Sequence, residues 1–569
     1  MPNKEYFKEI IRYIIKEKPS KDKLNIIKKK LCLKYNIKDI PTDIEIMLNA
    51  DVNDISKIKK NLLTKPTRSI SGVCVVAIMT KPMKCPHGKC LFCPGGVNSA
   101  FGNVPQSYTG REPATKRAIR NNFDPYLQVF NRLEQYVAAG HFPGKIELII
   151  MGGTFPSFPK NYQEEFVIYS LKALNDFSDL FFRKNEFNIT KFKKFFELPG
   201  DIYDSRRQEK IFSKLLKLKK KINMEKEQKK NETSNIRNVA LCIETRPDYA
   251  TLKHANQMLR LGCTRVELGI QSLFDDVLKK NKRGHSVEDS IKATKILKDL
   301  GFKVTYQIMP GLLGVSYKED LFQLNMLFQN ENFKPDMLKI YPCMVVKGTE
   351  LYDMWKKNRY RPLTTAKAIK LISEFKKNVP EYCRISRVQR DIPTFITEAG
   401  VDRTNLRQYI GQFMKKNKIK CRCIRCREAG HILEEKKNIK VKKIEIISRH
   451  YFASAGHEFF ISAEDLKNDI LFGYCRLRFP HECLRKEITE DSALVRELHV
   501  YSPSVQIGKK SKESFQHKGI GKMLLKKAEE MAKTYYKNKV VVISGIGARE
   551  YYKKLGYKRE GVYMVKHLK

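Results

Sequence analysis

Apolar runs of strand length recur at 73–79, 146–151, 239–244, 265–270 and 303–309, and the stretches between them carry apolar residues at helical spacing. One such helix is predicted over 287–300, with Gly301 as its stop. Strands alternating with helices in this way predict βα units around a parallel sheet or barrel, here spanning 69–345. Upstream, residues 1–68 are dense in lysine and place Ile10, Ile11, Ile14 and Ile15 at helical spacing, which predicts a basic helical region. Lysine runs such as Lys28-Lys29-Lys30 are expected on a solvated face. Residues 181–235 break the alternation; they are rich in Lys, Glu and Phe without a strand pattern, so an insertion is predicted, disordered around 224–233. Residues 346–438 read as a linker holding a second cysteine group, and 439–569 as a compact α+β domain. The fold class is α/β, with a partial (β/α) barrel as its centre.

At 569 residues the chain exceeds one hydrophobic core, and a hydrophobic fraction of 42% is ordinary for folded protein. No run of about 18 apolar residues argues for a membrane span, and no apolar signal core follows Met1, so a cytoplasmic protein is expected. The fourteen cysteines stand in short groups, which fits metal binding in a reducing compartment better than a disulfide framework. The net charge of +48 adds a partner: so large a one-signed excess repels itself, and a polyanion is the simplest compensation. Nucleic acid is the leading reading, ahead of an acidic membrane or compositional bias.

Chemistry enters at Cys85, Cys90 and Cys93, separated by four and then two residues. Three close thiolates suit a [4Fe–4S] cluster with one iron left for a small molecule, a structural zinc loop being the alternative. In radical S-adenosylmethionine (SAM) enzymes that molecule is SAM. Gly152-Gly153-Thr154 directly follows a strand and would receive the SAM amino group. Glu244 and Gln271 fall at later strand ends, where barrels bind ligands, and could hydrogen-bond the sugar or amino-acid portion of SAM. Near the C-terminus, Glu497-Leu498-His499-Val500 reads as a strand, and Gln516-His-Lys-Gly519-Ile520-Gly521 as a turn opening a helix at about Lys522. Such a turn offers backbone N–H groups to a pyrophosphate, as in the acetyl-CoA site of GNAT acetyltransferases. The resemblance to that fold implies that Tyr552 lies beside the CoA sulfur and can protonate the departing thiolate, with Tyr551 and Tyr557 read as core aromatics. Cys421, Cys423 and Cys426 suit zinc, with His431 as fourth ligand and His450 or Cys343 as alternatives.

These motifs occur as one set, together with Gln106-Ser-Tyr-Thr-Gly110, Ile243-Glu-Thr-Arg-Pro-Asp248 and Tyr563-Met-Val-Lys566. The set resembles the catalytic subunit of Elongator, and the short first cysteine gap resembles the stand-alone archaeal and bacterial type. The resemblance implies a radical-SAM barrel joined to a GNAT domain. It implies acetyl-CoA contacts at Glu497 to Val500, Ile520 to Lys522, Tyr552 and, from the barrel half, Lys145. The implied activity is that of a tRNA uridine(34) acetyltransferase, in which a SAM-derived 5′-deoxyadenosyl radical activates the methyl of acetyl-CoA for addition to C5 of the wobble uridine, giving 5-carboxymethyluridine. Implied partners are the tRNA anticodon stem-loop, an electron donor, and Elongator-like subunits or a second copy. Protein lysine acetylation by the GNAT domain alone is the competing reading, and it leaves the cysteine loop idle.

Overall fold

The computed structural model describes all residues except 1–3, 202–203, 436–438, 440, 442, 502–518 and 569, so Gln516 lies outside the described residues. Seven parallel strands form the central sheet in sequence order: β1 (Cys74–Met79), β2 (Lys145–Met151), β3 (Arg237–Thr245), β4 (Arg265–Gln271), β5 (Lys303–Ile308), β6 (Met337–Ile340) and β7 (Arg384–Arg387). Because the order never reverses, right-handed crossovers put the helices on one face, and the sheet curls into a half-barrel with a concave inner face. Strand alternation explains the sequence of this wall. Ile146, Leu148 and Ile150 are buried in the main hydrophobic core, whereas Lys145, Glu147 and Ile149 line the interior. β7 lies inside the stretch expected to be a linker, because Arg384-Ile-Ser-Arg387 offers one apolar residue and no recognisable run.

The insertion is ordered where it is described. It carries a short hairpin, Phe182–Arg183 with Glu186–Phe187, and helices Ile189–Phe195, Ser205–Leu218 and Met224–Asn231. Phe181 packs against Phe192 and Phe196 with ring centroids 5.4 and 5.6 Å away, so the phenylalanines form a local core. The expected disorder at 224–233 is corrected by two buried contacts. Asn231 donates to Asn175 Oδ1 at 2.8 Å, and Glu232 pairs with Arg549 at 3.2 Å and Lys553 at 2.8 Å. Those cations arrive from more than 300 residues away in sequence, which no local pattern reveals.

Residues 4–62 form four helices, Lys4–Glu17, Lys21–Lys34, Asp43–Asn49 and Val52–Leu62, around a separate core that includes Tyr6, Ile10, Ile14, Leu24 and Ile58. Lys29 and Lys30 are exposed as expected, but Lys28 is only 6% exposed and pairs with Asp43 at 3.1 Å.

The C-terminal sheet runs β8 (Glu445–Ala453), β9 (Gly456–Asp465), β10 (Ile470–Phe479), β11 (Ser492–Val500), β12 (Lys539–Val542), β14 (Tyr563–His567) and β13 (Lys558–Glu560). This sheet closes the N-terminal end of the half-barrel. Gly545 lies so close to the Val239 carbonyl that a Cβ would collide with it. Beside that contact, Arg478 pairs with Asp299 at 2.6 Å and Glu458 at 3.1 Å, while Arg496 pairs with Asp336 at 2.7 Å and Glu458 at 2.9 Å. All five side chains are fully buried. Among the described residues, no helix is long and apolar enough to cross a membrane.

Burial alone would raise the Asp336 carboxyl, but the Arg496 and Arg476 guanidinium groups more than offset it and hold the carboxyl far below the usual range. Its contribution to stability is therefore complete above about pH 4 and fades as pH falls further. Asp336→Asn should cost about 3–5 kcal/mol at neutral pH by leaving arginine charge buried without its counter-ion. Unfolding midpoints at pH 7 and pH 3 should show that deficit narrowing at the lower pH; an equal deficit at both would contradict the assignment.

Candidate active site

The interior of the half-barrel and the edge of the C-terminal sheet enclose one cavity of about 1270 Å³. Its two ends correspond to the two ends of the parallel strands. Cys85, Cys90, Cys93, Gly153, Thr154, Glu244 and Gln271 line the C-terminal end, while Lys145, Arg237, Lys303, Glu497 and Tyr552 line the other. Strands of six to seven residues separate these ends by about 20 Å at roughly 3.3 Å per residue.

At the first end, His87 sits between two thiols, with Nδ1 3.0 Å from Cys85 Sγ and Nε2 3.1 Å from Cys90 Sγ. Arg283 Nη1 donates to Cys90 Sγ at 3.1 Å, and its Nη2 to the Gly269 carbonyl at 2.8 Å. Burial raises the thiols of Cys85 and Cys93, a cost that ligation to iron would offset by fixing them as thiolates. The three sulfurs do not all lie within 4.8 Å of one another. A mononuclear zinc site would need thiolates about 3.8 Å apart for Zn–S bonds of about 2.3 Å, whereas a cluster offers each thiolate a different iron. The donor set thus fits a cluster.

Gly152 and Gly153 have φ of 124° and 108°, and a Cβ on Gly152 would strike Thr80 Oγ1. This tight turn brings Thr154 Oγ1 to 3.8 Å from Cys85 Sγ, tying the glycine turn to the cysteine loop. Gln271 is 8% exposed, holds a left-handed φ of 69° and leaves Oε1 without a partner. A buried unsatisfied oxygen beside the cysteine loop fits a polar ligand such as SAM. Glu244 is more occupied than expected, since it accepts from Tyr108 Oη at 3.1 Å and Gln307 Nε2 at 3.3 Å. Lys339 Nζ adds a third contact at 3.4 Å. Burial raises the Glu244 carboxyl, with Lys339 opposing.

At the far end, β11 pairs with β12 only over 492–495 and 539–542. Beyond that the strands diverge, so the side of 497–500 that would face β12 is left open to the cavity. Leu498, His499 and Val500 line this fork, and His499 Nε2 donates to the Ser71 carbonyl at 3.1 Å. The Glu497 side chain is instead taken up by Lys303 at 2.5 Å and Arg476 at 2.9 Å, which bring its carboxyl to about 2 against the effect of burial. What it could offer a ligand is backbone. The helix Ile520–Thr534 opens on Gly519 with φ of 85°. Ile520 turns into the core while Gly521 and Lys522 line the cavity. Tyr552 is buried on the same wall. Tyr551, expected in the core, is 40% exposed, and its hydroxyl stands 3.0 Å from where a Gly521 Cβ would be. Tyr557 is buried as expected and donates to Glu529 at 2.7 Å. Burial, with Arg237 nearby, lowers the Lys145 amine to about 8.

Cys421, Cys423 and Cys426 form the one His/Cys/Asp/Glu group among the described residues with all ligand atoms within 4.8 Å, and Cys423 and Cys426 sulfurs are 3.6 Å apart. That compactness fits a mononuclear ion. His431 does not join them; its Nε2 lies 2.7 Å from the Glu428 carboxylate. Neither alternative does: Cys343 is buried with Cys90 and Cys93, and His450 stacks on His457.

Several cavity residues escaped the sequence reading. Glu147, Arg265, Glu267, Lys303 and Lys339 form a charged inner lining, with Arg265 donating to Glu147 at 2.8 Å and Lys339 bonded to Glu267. Their signal was charge at alternate positions of otherwise apolar strands, which is unusual for a barrel interior packed with branched apolar residues.

Family models match along the chain: the ELP3 N-terminal domain over 4–70, the radical SAM superfamily over 200–324, its C-terminal domain over 335–416, and the GNAT acetyltransferase domain over 512–567. A protein named tRNA uridine(34) acetyltransferase from Methanocaldococcus infernus is 48% identical over 93% of this chain and 92% of its own. Elongator complex protein 3 of Saccharomyces cerevisiae is 39% identical over 96% of this chain and 92% of its own. The solved structure of the archaeal M. infernus Elp3 with an N-terminal deletion (1–46) matches with a TM-score of 0.72 and 43% identity, covering 88% of this chain and 100% of that one. The shared domains, the half-barrel and the C-terminal fork agree, and this chain belongs to the Elongator complex protein 3 family of radical SAM and GNAT acetyltransferases.

Proposed function

We propose that this chain is a tRNA uridine(34) acetyltransferase that uses acetyl-CoA and SAM together. The observation that carries the reading is the continuous cavity joining the cysteine loop to the fork of the C-terminal sheet. Cys85, Cys90 and Cys93 would hold a [4Fe–4S] cluster, with SAM beside Gly152, Gly153, Thr154 and Gln271. When bound, that pair supplies hydrogen-abstracting chemistry directed at the methyl of acetyl-CoA. The open edge of 497–500 and the helix start at Gly519 to Lys522 would hold the CoA moiety. Tyr552 would donate a proton to the departing thiolate; burial raises its phenol, which keeps the proton in place but makes it a weaker acid. Lys145, from the barrel wall, would contact the same acyl-CoA. The exposed lysines of residues 1–68 would track tRNA phosphates. Cys421, Cys423 and Cys426 would hold a structural zinc ion.

Protein reconstituted anaerobically with SAM, a reductant, acetyl-CoA and tRNA should yield carboxymethylated uridine 34 by mass spectrometry. Lys145→Ala should lower the yield at least about tenfold and weaken acetyl-CoA binding, since it removes a positioned charge. Acetylation of a basic peptide without change at uridine 34 would overturn the reading.

Metal analysis separates the two cysteine groups. Cys90→Ala with Cys93→Ala should abolish iron and sulfide while leaving zinc at full content. Cys423→Ala should do the reverse. Iron retained in the first variant would refute the cluster assignment.

A further inference from the structure

The half-barrel has two lips, because β1 and β7 are not paired with each other. Both are lined with arginine, but their electrostatics differ. On the β7 lip Arg384 pairs with Glu428 at 2.7 Å and Arg387 with Asp391, while Arg390 donates to the Ser107 carbonyl. On the β1 lip stand Arg68, from the turn Pro66–Arg68, Arg117, from the helix Pro113–Arg120, and Arg132, from the helix Pro125–Ala138. All three line the cavity, and among the described residues none lies within an ion-pair distance of a carboxylate. Glu112, the nearby acid, is spoken for: its carboxylate accepts from Thr109 at 2.9 Å and Thr115 at 3.1 Å.

The trio is held in place by neutral contacts instead of counter-ions, including an Arg132 Nη1 to Gln135 Oε1 bond at 3.1 Å. Arg117 donates to the Ala77 carbonyl at 2.5 Å, Tyr136 Oη to the Val75 carbonyl at 2.7 Å, and the Arg132 guanidinium lies 4.3 Å over the Tyr136 ring. Arg117 is 6% exposed and leaves Nε without a partner. Burial, then the proximity of Arg132, lowers its guanidinium to about 9. Three like charges held together at a cavity wall, with an orphaned buried donor among them, are incomplete without an anion. Arginine's planar fork suits a phosphate best.

We propose that Arg68, Arg117 and Arg132 form a phosphate subsite for the nucleic-acid backbone next to the reacting base, at the point where it enters the cavity. The choice of a backbone phosphate over a phosphate of CoA rests on position. Arg68 directly follows the lysine-rich helical domain, whose end is tied to the same lip by the Thr64 N–H to Ala139 carbonyl bond at 3.4 Å. The CoA fork on β11 also reaches this lip, through the His499 Nε2 to Ser71 carbonyl bond at 3.1 Å, so a CoA phosphate is the competing occupant that the test separates. The subsite rests on the tRNA reading of function, but its test is one of binding and does not require turnover.

The test uses the full chain with two probes, an RNA anticodon stem-loop and acetyl-CoA, each titrated at several salt concentrations. Arg68→Gln with Arg132→Gln should weaken stem-loop binding about tenfold or more and reduce the salt slope by about one to two. Acetyl-CoA affinity should be unchanged. Arg68→Lys with Arg132→Lys, which keeps the charges, should recover most of the RNA affinity. A loss of acetyl-CoA affinity with intact RNA binding would assign the trio to CoA and overturn the proposal. Unchanged binding of both probes would also overturn it. Failure of the tRNA reading itself would look different, as wild-type protein that does not bind the stem-loop at all.

Discussion

The buried ion network between the C-terminal sheet and the barrel is the constraint on which the rest depends. Arg476, Arg478 and Arg496 project from β10 and β11 into Asp299 and Asp336 of the barrel, with Glu458 and Glu497 completing the charge balance. Burying so many charges is costly, and a well-packed apolar interface could be as stable. What the network adds is register: forked guanidinium–carboxylate pairs tolerate little sliding. It fixes β11 against the barrel floor, so that the open edge of 497–500 faces the barrel interior and not solvent. Without that docking there would be two separate sites. With it there is one cavity, lined at one end by thiols and at the other by the open fork of the C-terminal sheet.

The charged lining between those ends follows from the same geometry. A barrel closed by apolar side chains would block passage from one end to the other. Here Arg265, Glu267, Lys339 and Glu147 satisfy one another through ion pairs along the inner face, which lets the interior remain polar and open. The outer positions of the same strands carry the apolar residues that anchor the helices.

Much of this was legible in the chain. Five strands of the half-barrel followed from apolar runs, and their helices from spacing and glycine stops. The cysteine loop and glycine turn were visible because they are contiguous. What escaped was set by distant partners. The helix Met224–Asn231 looks disordered until Asn175 and the Arg549–Lys553 pair are placed beside it. Glu497 reads as a site residue because its neighbours do, yet its carboxylate belongs to Lys303 and Arg476. His431 has suitable spacing from Cys426 but is turned toward Glu428. β7 has too few apolar residues to be read as a strand, since its inner face presents arginines to the cavity.

The claim that both halves serve one acyl-CoA can be tested by photolabelling. An acetyl-CoA analogue with a photoreactive acyl group would be bound to full-length protein, irradiated and mapped by peptide mass spectrometry. The account predicts labels on both the barrel strand at 145–151 and the C-terminal segment at 543–552. Labelling confined to the C-terminal sheet would show that the acyl group never enters the barrel and would contradict the shared cavity.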